Sequence, residues 1–366
     1  MPDTDAPMGS RHAFPRLGLR GRPDKRGRSS LCPRLFCPRS TIIRCEVLFS
    51  SLMKTPLEFL DVFRHELRAV GIPFAITSGM ACIRYGLQQT TKDSDWIVAA
   101  AELPKLRGLL EQCERRLPPW VVQYRPIFGA PFEAAWLDGG WSSHIFIRTM
   151  GGGPDHHLDF FCHPPRTASW RHDPEEPDFA DRDTVTRMKK TDRDKDWPIV
   201  GGLAAQAFAR GDTSAVLHLR DASTLRRAWS MTPAAVRARA ITARPLLESI
   251  DAGCEDLRLE FLLRAERLVW EAVNRHRYAV YQDAWKAWYR RWQAAADWPW
   301  PVSEPFVAQH ERIVAAAHDH ELPMTPLTDR VRRDVYAKGL ADAAILANIE
   351  PERLQAIAPP IEEVLP

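Results

Sequence analysis

The sequence predicts an α+β fold in which an α/β unit is followed by an all-helical C-terminal domain. Two observations predict it. From residue 54 to about residue 165, helical patterns alternate with short apolar runs separated by Gly- and Pro-rich turns. Beyond Gly202 the strand patterns disappear, and residues 255 to 296 form an almost unbroken helical pattern. Because 366 residues exceed the usual size of one hydrophobic core, we expect two folded units, at residues 54–200 and 201–366.

Residues 1–52 differ in composition from the rest of the chain. Arg and Lys residues lie there among Pro, Ser and Gly, without helical or strand periodicity. We predict a disordered basic extension and leave it out of the fold. Three interpretations of this extension stay open. It is a stretch translated upstream of a true start at Met53, a basic tail that contacts nucleic acid, or an organellar targeting peptide.

The elements of the α/β unit follow from periodicity. Leu57, Leu60, Phe63 and Leu67 recur at helical spacing and predict the first helix, which Gly71-Ile72-Pro73 ends. The further elements predicted for this unit are strands over 74–77, 94–99, 120–124, 134–137, 144–148 and 157–161, and helices over 80–87 and 103–116. The α/β unit therefore closes near residue 165.

Composition and charge exclude some classes of protein. The net charge of +3 is the small difference between 50 basic and 47 acidic side chains, so any nucleic-acid surface has to be local. No apolar run approaches the ~20 residues that cross a bilayer, so we expect no membrane span. The seven cysteines include no CxxC pair, which indicates thiols in a reducing compartment and favours a cytoplasmic location.

One stretch carries the chemistry. Asp93 and Asp95 are two residues apart at the start of a predicted strand, so both side chains point to the same face. Converging carboxylates repel each other unless a cation lies between them, and such hard oxygen ligands suit Mg²⁺ bound together with phosphates. Gly79, at the preceding strand-to-helix turn, lets the backbone approach a phosphate closely. The sequence therefore predicts adjacent sites for a metal ion and an anion.

These residues resemble the nucleotidyltransferase superfamily, in the branch of the minimal and AbiEii-toxin-like nucleotidyltransferases. Those families carry a pattern of GGxA, then G, then RxTxDxD. The chain meets this pattern with Ser78-Gly79-Met80-Ala81, Gly86, Gln89, Thr91, Asp93 and Asp95. Ser78 stands at the first glycine of the pattern and Gln89 at its arginine. The resemblance covers residues 54 to about 200.

The resemblance implies a mixed sheet flanked by helices, of the nucleotidyltransferase type. It implies a third carboxylate on a later strand, for which Asp159 fits, and a basic helix beyond that strand, which residues 188–196 resemble. On one helix, Lys189, Arg193 and Asp196 would share a face. The implied ligands of Mg²⁺ (or Mn²⁺) are the catalytic carboxylates Asp93, Asp95 and Asp159. The implied NTP-binding residues are Ser78, Gly79, Thr91, Lys189 and Arg193.

From the resemblance we expect a metal-dependent nucleotidyltransferase. It would transfer a nucleoside monophosphate from an NTP to a hydroxyl or phosphate of RNA, a protein or a small molecule. The AbiEii-like branch would associate the chain with toxin–antitoxin systems. The alternative is a catalytically inactive binding or antitoxin-like partner protein, which the absence of arginine at Gln89 favours. A third interpretation is a helical interaction scaffold.

Two further patterns have competing interpretations. His156, His157, Asp159, Cys162 and His163 could suggest zinc, but strand alternation turns His156 away from His157 and Asp159, so we expect no zinc site. In the helical domain, aromatic residues recur at helical spacing and favour a core stripe over a surface that stacks RNA bases. These residues are Trp285, Trp288, Tyr289 and Trp292.

We expect the helical domain to pack against the α/β unit and to form the second wall of an acceptor cleft, because pockets tend to form at such boundaries. If the acceptor is RNA, arginines on the open face of the long helix would contact its phosphates. The candidates are Arg264, Arg267, Arg275 and Arg277.

Overall fold

The computed structural model describes residues 56–115, 120–149, 155–296, 299–301 and 303–366. The predicted basic extension, residues 1–52, lies outside the described residues. The strands are β1 (Phe74–Thr77), β2 (Asp93–Val98), β3 (Trp120–Tyr124), β4 (Ser142–Thr149) and β5 (His156–Phe161). They form one mixed sheet of five strands in the order β1-β2-β5-β4-β3, in which only β2 and β5 are parallel.

Helices flank this sheet and make up the C-terminal region. In the first part they are α1 (Pro56–Ala69), α2 (Ser78–Arg84), α3 (Leu103–Glu114), α4 (Ala134–Leu137), α5 (Arg182–Lys189) and α6 (Trp197–Ala209). In the second part they are α7 (Ala222–Met231), α8 (Ala234–Ala243), α9 (Glu248–Asp251), α10 (Asp256–Ala295), α11 (Phe306–Asp319), α12 (Asp329–Ala347), α13 (Pro351–Ile357) and α14 (Ile361–Val364). The predicted α+β class with a helical C-terminal region is confirmed.

Burial explains why these segments form strands. The four residues of β1 are all buried, which matches the apolar run Phe74-Ala75-Ile76 that Thr77 ends. In β5, buried residues alternate with partly exposed ones, so alternate side chains point into the core and the others point to the polar face of the sheet. In β2 the last three residues are buried, whereas Asp93, Ser94 and Asp95 are partly exposed. The polar beginning of β2 therefore lies at the edge of the core.

The predicted strand over 134–137 is wrong, because this segment is the short helix α4. Its four residues are too few for periodicity to separate a buried strand from a buried helix turn. Trp136 and Leu137 are buried, and the Trp136 indole Nε1 donates a hydrogen bond to the Leu322 carbonyl. Two alanines at its start favour the helical conformation.

The predicted basic helix over 188–196 is also wrong, because α5 ends at Lys189. Beyond it the backbone is irregular until a 3₁₀ turn at Asp194–Asp196. The helix can end here because the guanidinium of the buried Arg166 donates hydrogen bonds to the carbonyls of Arg187 and Met188, which would otherwise lack partners at the last turn of α5. Lys189 and Arg193 therefore do not share a helix face.

Two hydrophobic clusters form the core. The first contains the sheet, α1 to α3 and the C-terminal part of α10 with α11, and it includes Trp288 and Trp292. The second joins α6 to α8, the first half of α10, and α12 and α13. Trp285 and Tyr289 pack against the first cluster, so the predicted core interpretation of the aromatic stripe is confirmed. Among the described residues, no helix combines the length and apolar character needed to cross a bilayer.

Candidate functional site: a carboxylate cleft

A row of polar side chains crosses the sheet at the beginning of β2. Asp95 lies beside Asp159 in the parallel register of β2 and β5, and Asp159 lies opposite His144 on β4. Asp93 lies beside His157 in the same parallel register. Because paired residues of neighbouring strands point to the same face, these side chains all lie on one side of the sheet.

The turn from β1 into α2 lies beside this row. Ser78 adopts a left-handed conformation with φ of 51°, a region that glycine enters at no steric cost and that other residues rarely adopt. At Gly79 a Cβ atom would overlap Oγ1 of Thr91 and lie 3.0 Å from its Cβ. Thr91 in turn donates a hydrogen bond from Oγ1 to the Asp93 carbonyl at 3.0 Å. The glycine therefore lets the turn and the loop before β2 approach each other closely.

The eight residues predicted for the site all line one cleft of about 690 Å³. They are Asp93, Asp95, Asp159, Ser78, Gly79, Thr91, Lys189 and Arg193. We call this space the carboxylate lobe. Gln89, at the arginine position of the pattern, is exposed.

The basic side of the carboxylate lobe is built by the irregular segment after α5. Lys189 is only 4% exposed, and its Nζ lies 3.5 Å from Oδ1 of the buried Asp196. Arg193 contacts the other oxygen of Asp196 at 2.6 Å. Asp196 therefore pairs with the buried Lys189 and with the more exposed Arg193, so these three residues are grouped as the sequence predicted, but by a turn and not by a helix face.

Burial and charge raise the pKa of Asp95. Desolvation is the largest cause, and the neighbouring Asp159 adds to it, so the pKa rises from 3.8 to about 7. Lys189 and a hydrogen bond from Ser78 oppose the rise. Without a bound cation, the carboxylates of this lobe therefore favour a protonated Asp95.

Three side chains that were not predicted for the site contact the carboxylates, and of these only His157 was singled out in the sequence, as part of the possible zinc cluster. His144 Nδ1 lies 2.6 Å from Asp159 Oδ1, and His157 Nδ1 lies 2.9 Å from Asp93 Oδ1. Arg125 Nη1 lies 3.4 Å from Asp93 Oδ1 and 3.5 Å from Asp159 Oδ1. Arg125 thus pairs with two of the three carboxylates.

The contacts of Asp93 and Asp159 converge on Oδ1 of each carboxylate. In this arrangement the described residues contain no group of three or more His, Cys, Asp or Glu side chains that could hold a metal ion. The carboxylates fit a hard cation by their chemistry and by their shared face. Arg125, His144 and His157 therefore occupy one oxygen of Asp93 and one of Asp159.

The structure also places the residues of the possible zinc cluster. His156 is buried on the opposite face of β5, where its ring stacks on Phe59 with centroids 4.0 Å apart. Burial lowers the pKa of His156 to about 4, so the ring is neutral at pH 7. His163 lies near Asp138 instead, with Nε2 3.2 Å from Oδ1.

A second space of about 550 Å³ adjoins the carboxylate lobe, since Ser78, Asp95 and Arg193 line both. We call it the aromatic lobe. Its lining includes the aromatic residues Phe128, Trp141, Phe161, Tyr278 and Tyr281, and Ser142, His144, Arg166, Asn274 and Arg277 add polar groups. Asn274, Arg277, Tyr278 and Tyr281 belong to α10, so the helical region forms one wall of the aromatic lobe. Its use as the wall of an acceptor cleft stays a prediction.

The arginines proposed for an open face of α10 divide into three environments. Arg264 and Arg275 are exposed. Arg267 forms ion pairs with Asp194 and Glu271. Arg277 lines the aromatic lobe and lies over the Tyr281 ring at 5.0 Å.

Comparison with known proteins gives no match to a family model, to a curated protein or to a solved structure. The functional interpretation therefore depends on the residues of the cleft.

Proposed function

We propose that the chain is a metal-dependent nucleotidyltransferase that transfers a nucleoside monophosphate from an NTP to an acceptor hydroxyl or phosphate. One observation carries the proposal. Three carboxylates on one sheet face, the Ser78-Gly79 turn and the buried Lys189 all line the same lobe. This combination places acidic groups beside groups that suit phosphates, as nucleotidyl transfer requires.

Asp93 and Asp95 would hold Mg²⁺ or Mn²⁺, which would supply charge neutralisation for the transferred phosphate and the leaving pyrophosphate. Asp159 lies on the side of the attacking group, because its Oδ1 contacts His144 at the border of the aromatic lobe. Arg125 contacts both Asp93 and Asp159, so it holds the two carboxylates together before substrate binds.

The remaining residues would bind and orient the triphosphate. Gly79 lines the lobe at the first turn of α2, where its missing side chain leaves room for Thr91, and the Ser78 hydroxyl lies beside Asp95. Lys189 offers a cation inside the lobe, and Arg193 offers one at its mouth. Thr91 acts indirectly, since it fixes the loop that carries Asp93.

The test uses each of the four NTPs, radiolabelled at the α-phosphate, with Mg²⁺ or Mn²⁺ and with total cellular RNA and protein. Label transferred to a macromolecule by the wild type, and lost in Asp95→Asn, would support the proposal. Asp155→Asn is the matched control, because Asp155 pairs with Arg148 at an exposed site and should not affect transfer. Equal labelling by Asp95→Asn and the wild type would contradict the proposal.

A second candidate is a catalytically inactive binding or antitoxin-like partner protein with the same fold. The observation that favours it is that His144, His157 and Arg125 already contact the carboxylates. In that case an NTP would bind without metal-dependent turnover. Calorimetric titration with each NTP, with and without Mg²⁺, separates the candidates when pyrophosphate release is measured on the same samples.

A further inference from the structure

A chain of hydrogen bonds links a serine, a histidine and an aspartate at the border of the two lobes. Ser142 Oγ lies 3.0 Å from His144 Nε2, and His144 Nδ1 lies 2.6 Å from Asp159 Oδ1. Ser142 and His144 are two residues apart on β4, so their side chains share a face. A hydroxyl, a base and an orienting carboxylate in this order are the arrangement that activates a nucleophile.

The chemistry of the three groups fixes the direction of the hydrogen bonds. A carboxylate accepts hydrogen bonds and donates none, so Nδ1 of His144 carries the hydrogen directed at Asp159. In the neutral ring Nε2 is then an acceptor, and the Ser142 hydroxyl donates to it. The serine proton is therefore already directed at a base.

The surrounding backbone holds the His144 ring in place. Gly129 lies over the ring, so a Cβ atom there would come within 3.4 Å of Nε2 and 3.2 Å of the Ser142 carbonyl. The Ala130 amide donates a hydrogen bond to the same carbonyl at 2.9 Å. The ring thus has little freedom to leave Ser142 and Asp159.

Ser142 also faces the proposed site of reaction. It lines the aromatic lobe together with Ser78, Asp95 and Arg193, the three residues that the aromatic lobe shares with the carboxylate lobe. A nucleotide bound across both lobes would have its α-phosphate near this border.

We propose that Ser142 is itself a nucleotidyl acceptor, so that the chain modifies its own cleft. This inference rests on the proposed function. A bond forms between Ser142 Oγ and the α-phosphorus of the NTP, and the bond from that phosphorus to the oxygen bridging to the β-phosphorus breaks. Pyrophosphate leaves with that electron pair. The serine proton moves to Nε2 of His144, which Asp159 orients.

The experiment is intact-mass measurement of the full chain before and after incubation with each NTP and Mg²⁺, followed by peptide mapping. We expect a mass gain of one nucleotidyl group on Ser142. Ser142→Ala should gain none, and Ser142→Thr, which keeps a hydroxyl, should regain the modification. His144→Gln should slow the modification by about 100-fold, since a positioned base typically contributes 10²–10⁴-fold.

Ser143→Ala is the matched control. Ser143 is fully buried on the opposite face of β4 and has no hydrogen-bond partner for Oγ among the described residues, so its removal should leave the modification unchanged. Thermal unfolding of each variant separates loss of the hydroxyl from loss of the fold.

Three outcomes would overturn the inference in distinguishable ways. If the wild type releases pyrophosphate while labelling RNA or protein, but Ser142 gains no mass, Ser142 is not an acceptor and the proposed function stands. If the wild type releases no pyrophosphate with any NTP and acceptor, the proposed function fails and the inference fails with it. A mass gain that maps to another residue also overturns the inference.

Discussion

Single residues decide the shape of the carboxylate lobe. Gly79→Ala should destabilise the protein by about 1–3 kcal/mol, because the new methyl group would overlap Thr91 and push the loop that carries Asp93 away. NTP affinity should fall with it. Gly201→Ala is the control, since no atom lies within 4 Å of where its Cβ would be, and alanine is favoured over glycine inside α6 by about 0.5–1 kcal/mol. Urea unfolding of both variants measures the change in stability. A Gly79→Ala variant as stable as the wild type would contradict the close approach of Gly79 to Thr91.

Asp95 should make stability depend on pH in the absence of divalent cations. Its pKa in the folded state, about 7, lies above the ordinary 3.8, so the folded state binds the proton more tightly than the unfolded state does. The resulting contribution to stability is fully present below about pH 4 and is lost as the pH rises to 7. Asp95→Asn removes this loss. The variant should therefore gain stability relative to the wild type steadily between pH 4 and 7, as measured by urea unfolding in EDTA. A difference that is constant over this range would contradict the raised pKa.

Strand alternation predicted that Asp93 and Asp95 share a face, because that feature is local. Asp159 came from the resemblance. Neither strand alternation nor the resemblance indicated Arg125 and His144. These residues reach the carboxylates because β3, β4 and β5 pair in a particular register, and that register cannot be derived from the sequence of any one strand. The grouping of Lys189 and Arg193 was predicted on a helix, whereas Asp196 holds them through a turn.

Among the elements, the edge strand β3 is closed by a side chain of α11. The Gln309 amide accepts a hydrogen bond from the Tyr124 N–H at 3.0 Å and donates one to the Val122 carbonyl at 3.1 Å. It thus takes the place of a further strand at an edge that would otherwise expose backbone groups. The Trp300 indole donates a third hydrogen bond, to the Tyr124 carbonyl.

Gln309→Ala should therefore destabilise the protein by about 3 kcal/mol, since it leaves a buried donor and a buried acceptor of β3 without partners, at about 1–3 kcal/mol each. Gln112→Ala, at an exposed position of α3, should change the free energy of unfolding by less than about 0.5 kcal/mol. Chemical denaturation provides the measurement. Similar effects at the two positions would show that the edge of β3 does not depend on Gln309.

For the whole molecule, α10 joins the two hydrophobic clusters. Its first half packs in the helical cluster, whereas Trp288 and Trp292 belong to the cluster around the sheet. The sequence predicted a boundary near residue 200 from the loss of strand patterns. The sequence could not show which hydrophobic cluster each turn of α10 would join, because an aromatic stripe predicts burial but does not identify the surface that packs against it.

Trp288→Ala should destabilise the protein by about 3–5 kcal/mol, because the side chain is fully buried and its indole donates a hydrogen bond to the Ala316 carbonyl. If α10 couples the clusters, near-UV and far-UV circular dichroism of this variant should still show one shared unfolding transition. Leu257→Ala, at a position 87% exposed on the same helix, should be close to neutral. Near-UV and far-UV transitions with different midpoints would contradict the coupling.

The central claim is that the carboxylate lobe binds a metal–NTP complex. The most direct measurement is a crystal structure of the wild-type chain with Mn²⁺ and an NTP whose α,β-bridging oxygen is replaced by a non-hydrolysable group. We predict anomalous density for Mn²⁺ between Asp93 and Asp95, and the triphosphate against Gly79 and Lys189. Arg125 should have moved away from the carboxylates. Nucleotide bound elsewhere, or bound with Arg125 still between Asp93 and Asp159 and no Mn²⁺ density, would contradict the account.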